Sequence, residues 1–198
     1  MSMITNDING VVAKHPDWVM WESALSADTC DKIIEACSEL EKHDATMIGI
    51  DALDPRRITQ LRWITENNED LSWIREIVEK YTHKANEHFK VDLTDLQPIQ
   101  FTEYNEIGSH YDMHHDVEWD NQRGNHRKVS FVLQLSDGDE YEGGDFCFNE
   151  HIPSPDSEAL RKRGTIIAFL SYNPHCVEPM ISGQRKSLVA WHLGPRWR

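Results

Sequence analysis

The sequence predicts an α+β fold in which N-terminal helices pack against a β-sandwich or barrel built by the C-terminal half. Three observations carry this expectation. Two amphipathic helical stripes occur before residue 90. From Leu96 onward the texture changes to short runs rich in β-branched and aromatic residues, punctuated by Gly, Pro, Asn and Asp. A chain of 198 residues can bury one core without disulfide or metal staples, so a single domain over 1–198 is expected.

Ser26 stands as an N-cap, and Cys30, Ile33, Ile34, Cys37 and Leu40 follow at helical spacing, which predicts a helix over 27–43. A second helix is expected over 69–89, where Trp73, Ile74, Ile77, Val78, Tyr81, Ala85 and Phe89 form one stripe. Both stripes are most simply surfaces packed on a sheet. Between them, 49–60 contains Asp54-Pro55 and Arg56-Arg57 and reads as a mobile loop leading to a short strand over 61–65. Strands are then expected over 98–104, 129–135, 145–149, 165–170 and 187–193, with turns at Gly143-Gly144 and Arg163-Gly164. A barrel of such strands has a mouth where a small ligand can sit.

A formal net charge of -14 argues against wrapping around nucleic acid, because phosphate binding needs a basic face. The basic runs Arg56-Arg57 and Arg161-Lys162-Arg163 are short and read as solvated loop residues. Seven tryptophans argue against disorder. The N-terminal MSMITNDING has no basic start and no apolar run, and no stretch of about 18 apolar residues occurs anywhere. These features suggest a cytoplasmic protein without a membrane span. Cys30, Cys37, Cys147 and Cys176 show no CxxC pair, and they read as reduced, buried thiols. Cys176 abuts His175, but neighbours on a strand face opposite ways, which assigns Cys176 to the core.

Two stretches carry metal-binding chemistry: His114-His115-Asp116, and Asn173-Pro174-His175 61 residues after His114. On a strand, residues i and i+2 share a face, so His114 and Asp116 can aim at one point while His115 faces away. Two imidazoles and one carboxylate are the set that leaves three cis positions open on a non-haem Fe(II). Spacing alone leaves Asp112 as a competing ligand, and His110 and His126 also lie nearby. Arg185 follows His175 by ten residues and shares strand parity with Ser187, Val189 and Trp191. Its planar guanidinium suits the far carboxylate of a small diacid. Taken singly, Arg185 also fits a surface ion pair, and Trp191 a core aromatic. Zinc hydrolysis would use the same ligands but would leave Arg185 without a task.

The pattern extends to Gln100–Tyr104, Gly108, Tyr111, His114-x-Asp116, Arg127–Leu135, Gly143–Phe146, Asn173–Pro179, Gly183-x-Arg185 and Trp191. Over roughly 60–194 this order resembles the Fe(II)/2-oxoglutarate dioxygenases of the prolyl 4-hydroxylase group. It is similar both to PKHD-type hydroxylases and to the oxygen-sensing prolyl hydroxylases. The resemblance implies a double-stranded β-helix (jelly-roll) core over 96–194, with 1–95 as mainly helical support and a lid at 49–60. It implies Fe(II) held by His114, Asp116 and His175, with 2-oxoglutarate and dioxygen as co-substrates and ascorbate as an accessory reductant. Arg185 would pair with the distal carboxylate of 2-oxoglutarate, and Tyr104 would hydrogen-bond the same co-substrate. Gln134 stands where oxygen-sensing members carry a second tyrosine near that carboxylate. Arg127 and Trp191 match positions that touch the peptide substrate.

The expected activity is hydroxylation of prolyl residues in a peptide or protein, with release of succinate and carbon dioxide. Asp116 favours hydroxylation, since related halogenases lack this carboxylate. Hydroxylation of a free amino acid or other small molecule is the second reading, and it predicts a narrow closed pocket. A jelly-roll binding module with vestigial ligands is the third, from a different class. No nucleic-acid or membrane partner is expected.

Overall fold

The computed structural model describes residues 16–44, 58–120 and 124–198, together with the short strands Ile4–Thr5 (β1), Asp7–Ile8 (β2) and Val11–Val12 (β3). Trp18–Trp21 (β4), the helix Ala27–Ser38 (α1), His43–Asp44 (β5), Gln60–Ile64 (β6) and the helix Ser72–Phe89 (α2) complete the N-terminal half. Then come Ile99–Tyr104 (β7), Tyr111–His114 (β8), Asn125–Gln134 (β9), Tyr141–Gly143 (β10) and Phe146–Phe148 (β11). The short helix Ser157–Arg161 (α3) precedes Ile166–Leu170 (β12), His175–Val177 (β13), Met180–Gly183 (β14) and Arg185–Pro195 (β15). Most of the expected lid, 49–57, lies outside the described residues, as do Arg56 and Arg57.

One antiparallel sheet runs in the order β1-β4-β12-β9-β15-β7-β6-β5. Smaller sheets, β11-β13-β8 and β10-β14, lie over one face of it. This is the α+β jelly-roll that the sequence predicts. Strand periodicity explains why both faces of the large sheet are buried. Phe131 and Leu133 of β9, Leu188 and Ala190 of β15, and Ile166 and Ala168 of β12 face the helices. There they meet Cys30, Ile33 and Cys37 of α1 and Ile74, Val78 and Ala85 of α2. The alternate residues Val132, Ile167 and Phe169 face the other way and pack on Phe148 of β11.

Both predicted helices are present. Ser26 caps α1, its Oγ accepting from the Thr29 backbone N–H at 3.2 Å. The first helix ends at Ser38 rather than at 43, because His43 and Asp44 pair with Leu61 and Gln60 at the sheet edge. A tertiary pairing outweighs the apolar period that Leu40 would continue. The residues 69–71 form a 3-10 turn before α2. At the other end Asn86 locks the exit from α2, bonding both the N–H and the C=O of Val91.

Two expectations are corrected. Cys147 and Cys176 are not reduced thiols but form a disulfide, since they are direct cross-strand partners of β11 and β13 with Cα atoms 5.5 Å apart. Cys176 does turn away from His175, but it is half-buried rather than core. Cys30 and Cys37 are the buried free thiols, and burial pushes Cys37 up to about 12. The run Arg161-Lys162-Arg163 is also not merely solvated. Arg161 bonds Asp145 at 2.7 Å, Lys162 pairs with Glu22, and Arg163 pairs with Asp31. Among the described residues no helix is long and apolar enough to cross a membrane.

Candidate metal centre

His114 and His175 are direct cross-strand partners in the β8–β13 pair, which places their rings 4.4 Å apart between centroids. Asp116 arrives differently from the strand-parity expectation. The strand β8 stops at His114, the chain bends, and the Asp116 backbone N–H donates to the Ser171 carbonyl at 2.9 Å. The outcome is nevertheless convergence. Nε2 of His114 lies 3.6 Å from Oδ1 of Asp116, and Nε2 of His175 lies 3.6 Å from Oδ2. The three candidate ligand atoms all fall within 4.8 Å of one another. Asp112 is outside this group and lies 3.6 Å from His110. His115 turns away, towards the Trp119 ring.

Both imidazoles are oriented by the same local device. Nδ1–H of His114 donates to the carbonyl of Asp112 at 2.8 Å, and Nδ1–H of His175 donates to that of Asn173 at 2.9 Å. A carbonyl can only accept, so each ring carries a proton on Nδ1 and turns its Nε2 to the common point. Asn173 is tied down in turn, its side-chain amide donating to the Asp17 carbonyl at 3.0 Å. Asp116 is held by Ser130, whose hydroxyl donates to Oδ2 at 2.6 Å and lies 2.9 Å from the Ser171 hydroxyl. Ser130 and Ser171 were not legible as site residues, although Ser130 shares the strand parity of Gln134.

The electrostatics suit a cation. Burial pushes the Asp116 carboxyl up, but His175, His114 and Arg127 together outweigh it and hold the group well below the usual carboxylate range. Burial pushes His175 down to about 4, with Asp116 opposing only in part, so the ring is neutral at pH 7. A neutral His175 beside an ionised Asp116 is the pair of protonation states a divalent cation requires of these two groups. The rings are packed firmly. Tyr111 stacks on His114 at 3.6 Å, and Phe169 meets His175 edge-on at 4.6 Å.

Arg185 pairs in register with Tyr104, its guanidinium lying 5.2 Å from the centre of that ring. It is 3% exposed, so it is no surface ion pair. Its Nη1 is buried without a hydrogen-bond partner, and no ion pair engages it among the described residues. A buried, uncompensated cation is costly enough to mark a place for an anion. Tyr104 belongs to an apolar cluster with Tyr141, Val177 and Met180, against which Tyr111 and Phe146 pack. Tyr111 touches His114, and the Phe146 ring lies 5.6 Å from His175, so one aromatic wall joins Arg185 to the two histidines. Gln134 is buried and donates to the Tyr141 hydroxyl.

Arg127 lies over the Trp191 ring at 3.8 Å and donates to Gln97 at 2.7 Å. Trp191 is buried with its indole N–H unpartnered, and it pairs in register with Ser130, the residue that holds Asp116.

Comparison with known proteins agrees with this geometry. Residues 99–193 match the family described as the 2OG-Fe(II) oxygenase superfamily. A PKHD-type hydroxylase of Synechococcus sp. (strain CC9902) is 36% identical over 86 residues, covering 43% of this chain and 37% of that protein. The chain thus matches little more than a third of the length of this relative. The fold is similar to a viral collagen prolyl hydroxylase from Paramecium Bursaria Chlorella virus-1, with TM-score 0.69 and 17% identity over 93% of this chain and 99% of that one. It is also similar to a prolyl hydroxylase in complex with a hypoxia inducible factor peptide fragment from Trichoplax adhaerens, with TM-score 0.69 and 16% identity over 89% and 83%.

Proposed function

We propose that the chain is a 2-oxoglutarate-dependent hydroxylase acting on prolyl residues of a peptide or protein, a reading supported by the match of residues 99–193 to the 2OG-Fe(II) oxygenase superfamily. The observation that carries the co-substrate is Arg185, a buried cation whose Nη1 has no partner and which shares one aromatic wall with the histidines. His114, Asp116 and His175 would hold Fe(II) through Nε2, a carboxylate oxygen and Nε2. Arg185 would take the distal carboxylate of 2-oxoglutarate, with Tyr104 beneath the guanidinium. The chemistry supplied by bound iron and co-substrate is oxidation of a C–H bond by dioxygen, with 2-oxoglutarate converted to succinate and carbon dioxide.

The residues of the chain orient and exclude. Asp112, Asn173, Ser130 and Ser171 fix the ligand side chains before metal arrives, so little reorganisation opposes binding. Phe146, Phe169 and Tyr111 keep water from the ring faces of the histidines. Arg127, stacked over the buried Trp191, brings a cation near Asp116 and would meet the backbone of a peptide substrate. The peptide-bound and collagen-directed fold relatives favour a polypeptide over a free amino acid.

The first test is anaerobic addition of Fe(II) and 2-oxoglutarate, which is expected to give the visible charge-transfer band of a chelated 2-oxo acid. Absence of that band would overturn the reading of the site. Oxygen-dependent succinate release is then measured with proline-containing peptides, free proline and other amino acids. Turnover with free amino acids alone would replace the polypeptide substrate by a small molecule.

A further inference from the structure

Gln134 and Tyr141 lie beside Arg185, and their hydrogen bonds can be assigned without choice. Nε2 of Gln134 lies 3.2 Å from the Ser136 carbonyl oxygen and 2.9 Å from the Tyr141 hydroxyl. A carbonyl accepts only, so the amide must present its NH2 there, and the two N–H groups of one nitrogen serve the two oxygens. The Tyr141 oxygen is therefore an acceptor from Gln134, and its own proton must be donated elsewhere. Tyr141 is 6% exposed, and Gln134 is the one polar partner of its hydroxyl among the described residues. A buried hydroxyl proton without an acceptor is as anomalous as the orphan Nη1 of Arg185.

The side chains that carry these two anomalies approach the same glycine, Gly144. A Cβ built on Gly144 would stand 3.4 Å from Cδ of Arg185 and 3.6 Å from Cδ2 of Tyr141, so both side chains flank one α-carbon. Gly144 adopts a φ of +62°, and the same Cβ would collide with Sδ of Met180, which together reserve the position for glycine. Gln134 pairs in register with Ser187, which shares the strand face of Arg185. The Tyr141 ring cannot drift. Arg161 lies over it at 4.2 Å and also bonds the carbonyls of Gly138, Tyr141 and Gly143.

We propose that Tyr141, oriented by Gln134, donates its hydroxyl proton to the same distal carboxylate that Arg185 binds, so that the Gln134–Tyr141 pair selects a dicarboxylate co-substrate. This rests on the reading of Arg185 given above. Gln134 acts through Tyr141 and is a positioning residue. The arrangement leaves a tyrosine donor at the carboxylate, supplied from β10 rather than from position 134 of β9.

The test is equilibrium calorimetry on protein loaded with Mn(II), so that no turnover contributes. The probes are 2-oxoglutarate and pyruvate, a 2-oxo acid that lacks the distal carboxylate. Tyr141→Phe is expected to weaken 2-oxoglutarate roughly ten- to a hundredfold, the size of a hydrogen bond to a charged group, while pyruvate affinity is unchanged. Gln134→Leu should show the same selective loss at smaller size, because the hydroxyl is then free to rotate. Tyr141→Phe with unaltered 2-oxoglutarate affinity would overturn the proposal, as would equal weakening of both probes, which marks a structural tyrosine. A wild-type protein that binds neither probe would instead refute the co-substrate reading itself. A tyrosine difference absorbance on adding 2-oxoglutarate, absent in Tyr141→Phe, gives a second readout that needs no comparison of affinities.

Discussion

The two faces of the large sheet are built by alternate residues of the same strands, yet they obey different rules. Towards the helices, Phe131, Leu133, Leu188 and Ala190 meet an apolar layer. Towards the small sheets, their immediate neighbours Ser130, Gln134 and Ser187, together with Arg185, are buried as well, but polar. The helix face removes apolar area from water, which is the main source of stability. The other face gives up part of that gain and keeps donors and a charge in low dielectric, where they hold other groups strongly. A period of two residues is thus enough to separate stability from chemistry within one strand.

The sharpest way to break this contrast is to change adjacent residues of β9. Phe131→Ala is expected to lower unfolding free energy by about 3–5 kcal/mol in a urea titration, while the folded fraction keeps its metal affinity. Ser130→Ala should do the reverse. It would shift the urea midpoint little, but weaken Fe(II) binding roughly ten- to a hundredfold, because Asp116 loses its oriented donor. If Ser130→Ala destabilised the fold as much as Phe131→Ala, the two faces would not be functionally distinct.

Arg185→Met asks whether the site face gives up stability for binding. Removing a buried cation that lacks a counter-ion is expected to stabilise the protein without co-substrate by about 1–3 kcal/mol. The same variant should lose 2-oxoglutarate binding while keeping its metal. Thermal unfolding with and without 2-oxoglutarate reads both effects, and a variant destabilised in both states would show the arginine to be structural.

The smallest effect concerns the one histidine that the described part of β15 buries on the helix side. Burial, with help from His83 and Arg75, pushes His192 down to about 4. The unfolded chain therefore binds the extra proton first, so stability falls as pH drops from about 6.5 towards 4 and is unaffected above that window. His192→Leu is expected to remove about 2 kcal/mol of the loss between pH 7 and pH 5, measured as the difference in urea stability from the wild type. An unchanged pH slope in the variant would show that His192 is not the group responsible.

Legibility in the sequence followed the range of the interaction. The stripes of α1 and α2, and the parity of Arg185, Ser187 and Trp191, depend on residues a few positions apart and were readable. The strand Trp18–Trp21 was not, because WVMW is apolar on both faces and shows no alternation; it is defined by pairing with β12. The ends of β9 and β15 were under-read for a similar reason. Asn125 and Arg127 have no strand signal of their own, and they extend the sheet because Pro195 and Leu193 lie opposite. The Cys147–Cys176 disulfide escaped notice since no CxxC spacing announces a cross-strand pair.

For the site itself, the sequence alone determined which donors are on offer: two imidazoles, a carboxylate, a guanidinium and a nearby tyrosine. It also determined which strand neighbours share a face, since that is a property of the local backbone. Tertiary structure decided the rest. The register of β8 against β13 sets His175 opposite His114, and the Ser171 carbonyl draws Asp116 back past the end of its strand. The pairing of β10 with β14 brings Tyr141 to Gly144, the residue that Arg185 also approaches. Each of these meetings depends on how loops of many residues close, and loop closure is governed by the packing of the whole sheet rather than by any short run of the chain.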